Sequence, residues 1–234
     1  PNALQVEDRF PLLNGFNGTP NLSESYLLLS KYDGDLEEGI IELVDLRNFK
    51  VLHTWNPDID LFNKSFEQIG EFKYLHRDNN NSRARLLHPK LTRDGGLLFN
   101  SYVLRKIDFC SDLIFQNKSD EAYHSIETDI DENIWVTSIM YPQSLPMEKV
   151  GRAIKEDGGY LDDAILKLSS DGEILFEKSL SQIFIENGLE YLLFSTGDKV
   201  FTKDPIHIND IQPVDFDGEF WKKGDLFLSL RNQS

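Results

Sequence analysis

Short runs of apolar and branched residues alternate with turn residues along most of the 234-residue chain. Asp-Gly pairs, which favour tight hairpins between strands, recur at positions 33–34, 94–95, 157–158, 171–172 and 217–218. The flanking runs are short and rich in the branched and aromatic residues that strands prefer. They predict strands at Tyr26–Ser30, Ile40–Leu46, Val51–Trp55, Leu97–Asn100, Val103–Asp108, Leu113–Gln116, Ile134–Ser138, Ala164–Ser169, Ile174–Glu177 and Leu226–Leu230.

Three histidines open similar segments and so give the register of a repeat. The segments are H-P-K-L-T-R-D-G-G-L-L-F-N-S from His88, H-S-I-E-T-D-I-D-E-N-I-W-V-T-S from His124, and H-I-N-D-I-Q-P-V-D-F-D-G from His207. Each gives a histidine, a strand, an acidic turn and a second strand, with an insertion in the third segment. Four-stranded units that recur at roughly 40 residues are typical of a β-propeller. The sequence therefore predicts an all-β propeller in which about four blades can be counted.

The register also predicts where the histidines lie. The first strand of each propeller blade lines the central channel. His88, His124 and His207 stand at equivalent starts of first strands, so we expect them to converge on that channel. The alternative is that they are unrelated surface histidines.

Insertions interrupt the blades. Positions 56–85 are polar, with a short helix predicted around Leu61–Glu67, and Tyr141–Tyr160 has the proline and glycine content of a long loop. Ser179–Asn187 is predicted to be a helix that begins with a Ser-x-x-Gln capping box. Leu189–Phe194 either adds a helical turn or packs as an apolar plug.

Charge limits the classes of partner. Asp and Glu number 40 against 24 Lys and Arg, which gives a formal net charge of −16. Such a surface repels polyphosphates, so we expect no binding of nucleic acid, although a small anion can still bind in a local basic pocket. No run of 18 apolar residues is present, so no membrane span is expected. Cys110 is the one cysteine, which excludes an intrachain disulfide.

His124, His207 and Arg231 form the main candidate site. His207 precedes one strand and Arg231 ends the next, so a hairpin would bring the two side chains together. A histidine can act as nucleophile, base or acid near neutral pH, and the planar fork of an arginine suits tetrahedral oxyanions. Sulfate and phosphate esters both need such a clamp. The alternative is a structural histidine bonded to a backbone carbonyl, together with a surface arginine.

No metal or cofactor is expected. Asp129, Asp131 and Asn133 have the spacing that opens a calcium-binding loop, but Ile134 and Met140 occupy the positions that require Gly and Glu. A tight acidic turn between two strands is the better interpretation. The motifs of zinc peptidases, dithiol redox proteins, α/β-hydrolases and P-loop nucleotide-binding proteins do not occur in the sequence.

Four longer segments are specific enough to indicate a family. They are Y-H-S-I-E-T-D-I-D-E-N-I-W-V, D-D-A-I-L-K-L-S-S-D-G-E-I-L-F-E-K-S, D-P-I-H-I-N-D-I-Q-P-V and W-K-K-G-D-L-F-L-S-L-R-N-Q-S. They resemble the arylsulfotransferase (arylsulfate sulfotransferase) family, and the resemblance extends from about Tyr26 to the last residue. It implies a six-bladed β-propeller that moves a sulfuryl group from a phenolic sulfate ester to a phenolic acceptor. It also implies a ping-pong route through a sulfohistidine, with no nucleotide donor.

The resemblance assigns roles to residues. His124, His207 and Arg231 match the positions that bind and neutralise the sulfuryl group. The neighbouring Tyr123 and Asn209 are expected to contact substrate, as is His88.

The family's nucleophilic histidine lies in a Q-H-D-like motif on a later blade, and none of the five histidines here is followed by Asp. We therefore expect residues 1–234 to form a single propeller domain that is part of a longer one, or one that closes by self-association. A propeller that binds an anionic or aromatic ligand without catalysis is the alternative function. The opening residues lack a signal-peptide pattern, and the resemblance implies export to the periplasm.

Overall fold

A computed structural model describes residues 18–23, 25–118, 121–150, 160–194 and 204–233, with the side chains of Met147 and Glu148 left aside. Within these ranges thirteen strands form four antiparallel sheets. The sheets follow one another along the chain, and in each sheet the order of the strands is their order in sequence. This arrangement confirms the all-β, propeller-like fold and the count of about four blades.

We number the four sheets as blades in chain order. Blade 1 contains β1 (Tyr26–Asp33), β2 (Glu38–Asp45) and β3 (Lys50–Trp55). Blade 2 contains β4 (Leu87–Leu91), β5 (Leu97–Ser101), β6 (Val103–Ile107) and β7 (Leu113–Gln116). Blade 3 contains β8 (Glu121–Thr128), β9 (Ile134–Ile139), β10 (Asp163–Leu168) and β11 (Ile174–Ser179). Blade 4 contains β12 (Ile208–Pro213) and β13 (Leu226–Leu230).

The blades stack face to face around their first strands. β1 contacts β4, β4 contacts β8, and β8 contacts β12, as expected where first strands surround a common axis. Every residue of β5 is buried, because both of its faces are covered. Leu97 and Phe99 pack with Ile41 of blade 1, whereas the intervening Leu98 packs with Val136 of blade 3. The alternation of side chains along one strand thus packs blade 2 against blade 1 on one face and against blade 3 on the other.

Short helices fill the insertion between blades 1 and 2. Helix α1 covers Ile59–Asn63, a 3₁₀ helix covers Gly70–Tyr74, and helix α2 covers Leu75–Asp78. The helix predicted at Leu61–Glu67 therefore starts and ends too late. The Asp58 carboxylate accepts a hydrogen bond from the backbone of Leu61 at 2.9 Å, which caps the helix earlier than the apolar pattern indicates.

The insertion between β9 and β10 was predicted to be a loop throughout, which is wrong in one place. A short helix, α3, covers Met147–Val150. The rest of the predicted loop that lies at positions 151–159 is outside the described residues.

Helix α4 (Leu180–Glu186) confirms the helix predicted at Ser179–Asn187. The hydroxyl of Ser179 accepts a hydrogen bond from the backbone of Gln182 at 3.2 Å, as an N-cap should. The next segment forms a 3₁₀ helix at Glu190–Leu193 and also packs into an apolar cluster, so both interpretations of it hold. The buried members of that cluster are Leu180, Phe184, Leu193, Ile206 and Ile208. In the described part of the chain, no helix has both the length and the apolar character needed to cross a membrane.

Candidate functional site

The three histidines of the repeat share one unusual backbone conformation. The angle φ is +50° at His88, +54° at His124 and +58° at His207. A positive φ is uncommon for residues other than Gly, and histidine is among the few side chains that tolerate it. Strand pairing is irregular at each place, between Leu87 and Lys90, between Tyr123 and Ile126, and just after His207. We conclude that each positive φ accompanies a β-bulge in a first strand, near the start of β4, midway along β8 and just after His207 in β12.

The bulges bring the predicted site together. The Nε2 atoms of His124 and His207 lie 3.1 Å apart. The ring of His88 lies further out, with its centroid 6.4 Å from that of His124, and its side chain is exposed. The Nη1 atom of Arg231 lies 3.4 Å from Nε2 of His207. The core of the site is therefore the His124–His207 pair with Arg231 at its edge.

The hairpin of blade 4 delivers Arg231 as the sequence predicts. β12 and β13 pair antiparallel, with Ile208 opposite Leu230. One residue further, the backbone N–H of Arg231 donates to the carbonyl of His207 at 2.9 Å. The same ladder that pairs the strands therefore sets the guanidinium beside the imidazole.

Two carboxylates hold His207. Its Nδ1 atom contacts the carboxylate of Asp204. The two carboxylate oxygens of Asp163, which belongs to blade 3, accept hydrogen bonds from the backbone N–H groups of His207 and Ile208, both at 3.2 Å. Burial raises the pKa of Asp163 to about 7, and the nearby charge of Asp204 acts in the same direction. The left-handed backbone of His207 is thus anchored across a blade boundary.

His124 is held from blades 2 and 3. Its carbonyl accepts a hydrogen bond from Nδ2 of the buried Asn100 at 2.9 Å, and the carbonyl of Tyr123 accepts one from the hydroxyl of Thr137. Burial lowers the pKa of His124, and proximity to His207 lowers it further. An anion placed beside His124 would favour the protonated form of its ring.

The predicted substrate contacts lie around this pair. The ring centroid of Tyr123 is 4.8 Å from that of His124 and 6.4 Å from that of His207. Asn209 is half-buried in β12, at the irregular pairing that follows His207. A cavity of about 140 Å³ adjoins the site, lined by Glu121, Tyr123, Ile139, Leu161, Asp163, Asp204 and His207.

The acidic turn after β8 serves the fold. The carboxylate of Asp129 accepts hydrogen bonds from the backbone of Asn133 at 2.9 Å and from Nε1 of Trp135 at 3.0 Å. It also pairs with Nζ of Lys167 at 3.0 Å. Although burial opposes the shift, these partners lower the pKa of Asp129 to about 2. The carboxylate is occupied by the turn, as a tight acidic turn requires.

Three supporting residues escape the sequence argument. Asp204 stands three positions before His207 in D-P-I-H, close enough in sequence for its carboxylate to reach the ring. Asp163 and Asn100 reach the histidines from neighbouring blades. No local pattern indicates a contact between blades.

Comparison with known proteins identifies the family of this chain. The sequence model of the arylsulfotransferase (ASST) family matches residues 93–234. No curated protein matches the chain. Among solved structures, a protein of unknown function from Bacteroides caccae is similar, with a TM-score of 0.39 and 12% identity over 67% of this chain. The aligned part is 41% of that protein, so the present chain spans less than half of its length. The family match takes in more than half of the chain, with His124, His207 and Arg231 inside it, and the chain belongs to the arylsulfotransferase family.

Proposed function

We propose that the protein transfers a sulfuryl group from a phenolic sulfate ester to a phenolic acceptor, without a nucleotide donor. The observation that carries this proposal is the meeting of two imidazole Nε2 atoms, 3.1 Å apart, with the guanidinium of Arg231 3.4 Å from one of them. In a member of the arylsulfotransferase family, such a cluster of nitrogen donors suits an oxyanion.

The charges of the cluster support a sulfuryl ligand. The guanidinium of Arg231 presents a planar set of hydrogen-bond donors. The pKa of His124 is lowered by burial and then by His207, His88 and Arg231, so four cationic or potentially cationic groups lie close together. An oxyanion placed among them relieves this repulsion. The overall charge of −16 makes such a local basic spot stand out from the rest of the surface.

The transfer consists of two displacements. In the first, a histidine nitrogen attacks sulfur, the bond from sulfur to the phenolic oxygen breaks, and the phenolate leaves with the bonding electrons. In the second, the acceptor hydroxyl attacks the sulfohistidine, the S–N bond breaks, and the acceptor's proton passes to a base. The family resemblance implies an attacking histidine in a Q-H-D-like motif, and none of the five histidines of this sequence is followed by Asp. His124, His207 and Arg231 have the role of holding the sulfuryl oxygens and stabilising charge as each bond breaks.

The test is release of nitrophenol from nitrophenyl sulfate by the full-length natural protein, with phenol as acceptor. His207→Ala and Arg231→Ala should each lower the rate by about 100- to 1,000-fold, the usual cost of removing one charge-stabilising donor. His53→Ala and Arg93→Ala are matched controls. His53 of blade 1 stacks on Phe109, which lies between β6 and β7 of blade 2. Arg93 pairs with Glu132, so both variants should keep the wild-type rate. Wild-type turnover in both site variants would rule out the assigned site.

A second candidate function is binding of an anionic or aromatic ligand without transfer. It is favoured by the sequence observation that none of the five histidines lies in a Q-H-D-like motif. In that case calorimetry would detect binding of phenyl sulfate, and Arg231→Ala would weaken it, while the full-length protein released no nitrophenol. The family resemblance also leads us to propose export to the periplasm, which fractionation of the source cells would test.

A further inference from the structure

Asp204 contacts the edge of the His207 ring that points away from His124. Its carboxylate meets Nδ1 of His207, with the two side chains 21% and 17% exposed. An ionised carboxylate can only accept hydrogen bonds, so Nδ1 must carry the proton. Partial burial strengthens this charge-assisted contact, because little water competes for either group.

The proton on Nδ1 determines whether Nε2, on the opposite side of the ring, can accept a hydrogen bond. In a neutral imidazole only one nitrogen is protonated, so Nε2 of His207 then has a free lone pair. Nε2 lies 3.1 Å from Nε2 of His124, a contact that requires one proton between the two atoms. Fixing the tautomer of His207 therefore fixes which histidine donates and which accepts.

The segment that carries Asp204 is itself anchored. The carbonyl of Asp204 accepts a hydrogen bond from Nδ2 of Asn232 at 2.8 Å, and the carbonyl of Pro205 accepts one from Nε2 of Gln233 at 2.8 Å. The backbone N–H of Asn232 donates to the carbonyl of Ile206 at 3.2 Å. The residues after β13 thus hold Asp204 in place relative to the ring that it contacts.

We infer that Asp204 is a positioning residue, which holds the neutral ring of His207 in the Nδ1–H tautomer, so that a proton taken up at Nε2 makes that nitrogen a donor to the sulfuryl group. The catalytic part of this inference rests on the proposed function, whereas the tautomer can be measured without turnover.

The experiment compares three variants of the full-length protein. Asp204→Asn removes the charge and keeps the shape, Asp204→Glu keeps a carboxylate, and Glu186→Gln removes a surface carboxylate that pairs with Lys178. Imidazole ¹⁵N NMR reports which nitrogen of His207 is protonated, and nitrophenol release reports transfer. We expect Nδ1–H in the wild type, a shift toward Nε2–H in Asp204→Asn, and a rate about 100-fold lower there, because an amide stabilises the protonated ring less than a carboxylate does. Asp204→Glu should recover most of the rate, and Glu186→Gln should match the wild type in both measurements.

The two measurements separate the possible failures. An unprotonated Nδ1 in the wild type would overturn the inference whether or not any variant folds. A wild-type rate in a folded Asp204→Asn protein would overturn the catalytic part. Absence of transfer in the wild type, with a tautomer that depends on Asp204, would refute the proposed function and leave the structural role of Asp204 supported.

Discussion

In blades 2 and 4 a histidine has the same unusual backbone conformation, but the surroundings of its side chain differ. His88 and His207 have nearly equal positive φ values, +50° and +58°. The side chain of His88 is exposed and lies at the margin of the cluster. His207 has a buried carboxylate under its backbone and a second carboxylate on its ring. The backbone conformation is thus common to both histidines, whereas carboxylates from elsewhere in the fold hold only His207 in place.

Replacing each histidine in turn gives the largest expected difference. His207→Ala should lower the transfer rate by about 100-fold or more, since it removes a donor at the position where charge develops. His88→Ala should cost less than about 10-fold, as for loss of a peripheral contact. Steady-state nitrophenol release measures both. Equal losses would show that the two blades contribute alike, which contradicts the contrast.

The anchoring of the backbone can be tested through stability. Asp163→Ala leaves the buried N–H groups of His207 and Ile208 without the acceptor shown here, so it should lower the free energy of unfolding by about 2–4 kcal/mol. Asn100→Ala removes a single donor to the carbonyl of His124 and should cost about 1 kcal/mol. Urea unfolding of both proteins gives the two values. A larger loss of unfolding free energy in Asn100→Ala than in Asp163→Ala would contradict this prediction.

Asp163 also predicts how stability depends on pH. Its pKa is about 7 in the folded protein and 3.8 without the fold, so between these values the folded state binds more protons than the unfolded state. The free energy of unfolding should therefore fall as pH rises from about 4 to 7, by a few kcal/mol at most. In Asp163→Asn this contribution is absent.

Urea unfolding at pH 5 and pH 8 isolates the effect as a difference between wild type and Asp163→Asn. The lowered pKa of His124 acts in the opposite direction below about 6.5, because its unfolded form takes up the proton first. That contribution is present in both proteins and cancels. Parallel pH profiles would contradict the raised pKa of Asp163.

The smallest expected effect is proton uptake on binding of an anion. Sulfate beside His124 should raise the pKa that burial and His207 lower. Binding near neutral pH should then take up a fraction of one proton, and affinity should fall as pH rises. Calorimetry in buffers of different ionisation enthalpy measures this uptake. His124→Gln should abolish it, and an unchanged uptake in that variant would place the proton elsewhere.

The features that the sequence predicts correctly are local ones. Strands such as Leu113–Gln116 and Leu226–Leu230 follow from a few apolar residues between turn signals, and both have the predicted bounds. The register of His88, His124 and His207 repeats with the blades, so the pattern alone indicates that they are equivalent. The hairpin that brings Arg231 to His207 likewise needs only two neighbouring strands.

The supports of the site depend on contacts between distant segments. Asp163 is 44 residues from His207 and Asn100 is 24 residues from His124, and neither separation follows from periodicity. A positive φ at three histidines is equally hidden, because glycine is the residue that normally signals it. The contact of Asp204 with His207, by contrast, joins residues only three positions apart, so a local pattern can indicate it. Pro205 restricts Asp204 to extended conformations, which is compatible with a carboxylate that turns back to a ring three residues later.

The left-handed backbone at the three histidines also limits which residues evolution or design can place at these positions. A left-handed position excludes β-branched side chains and tolerates Gly, Asn, Asp and His. Positions 88, 124 and 207 can therefore exchange imidazole for an amide, a carboxylate or an empty space while the strand ladders stay as they are. The fold thus has one such exchangeable position in each of blades 2, 3 and 4.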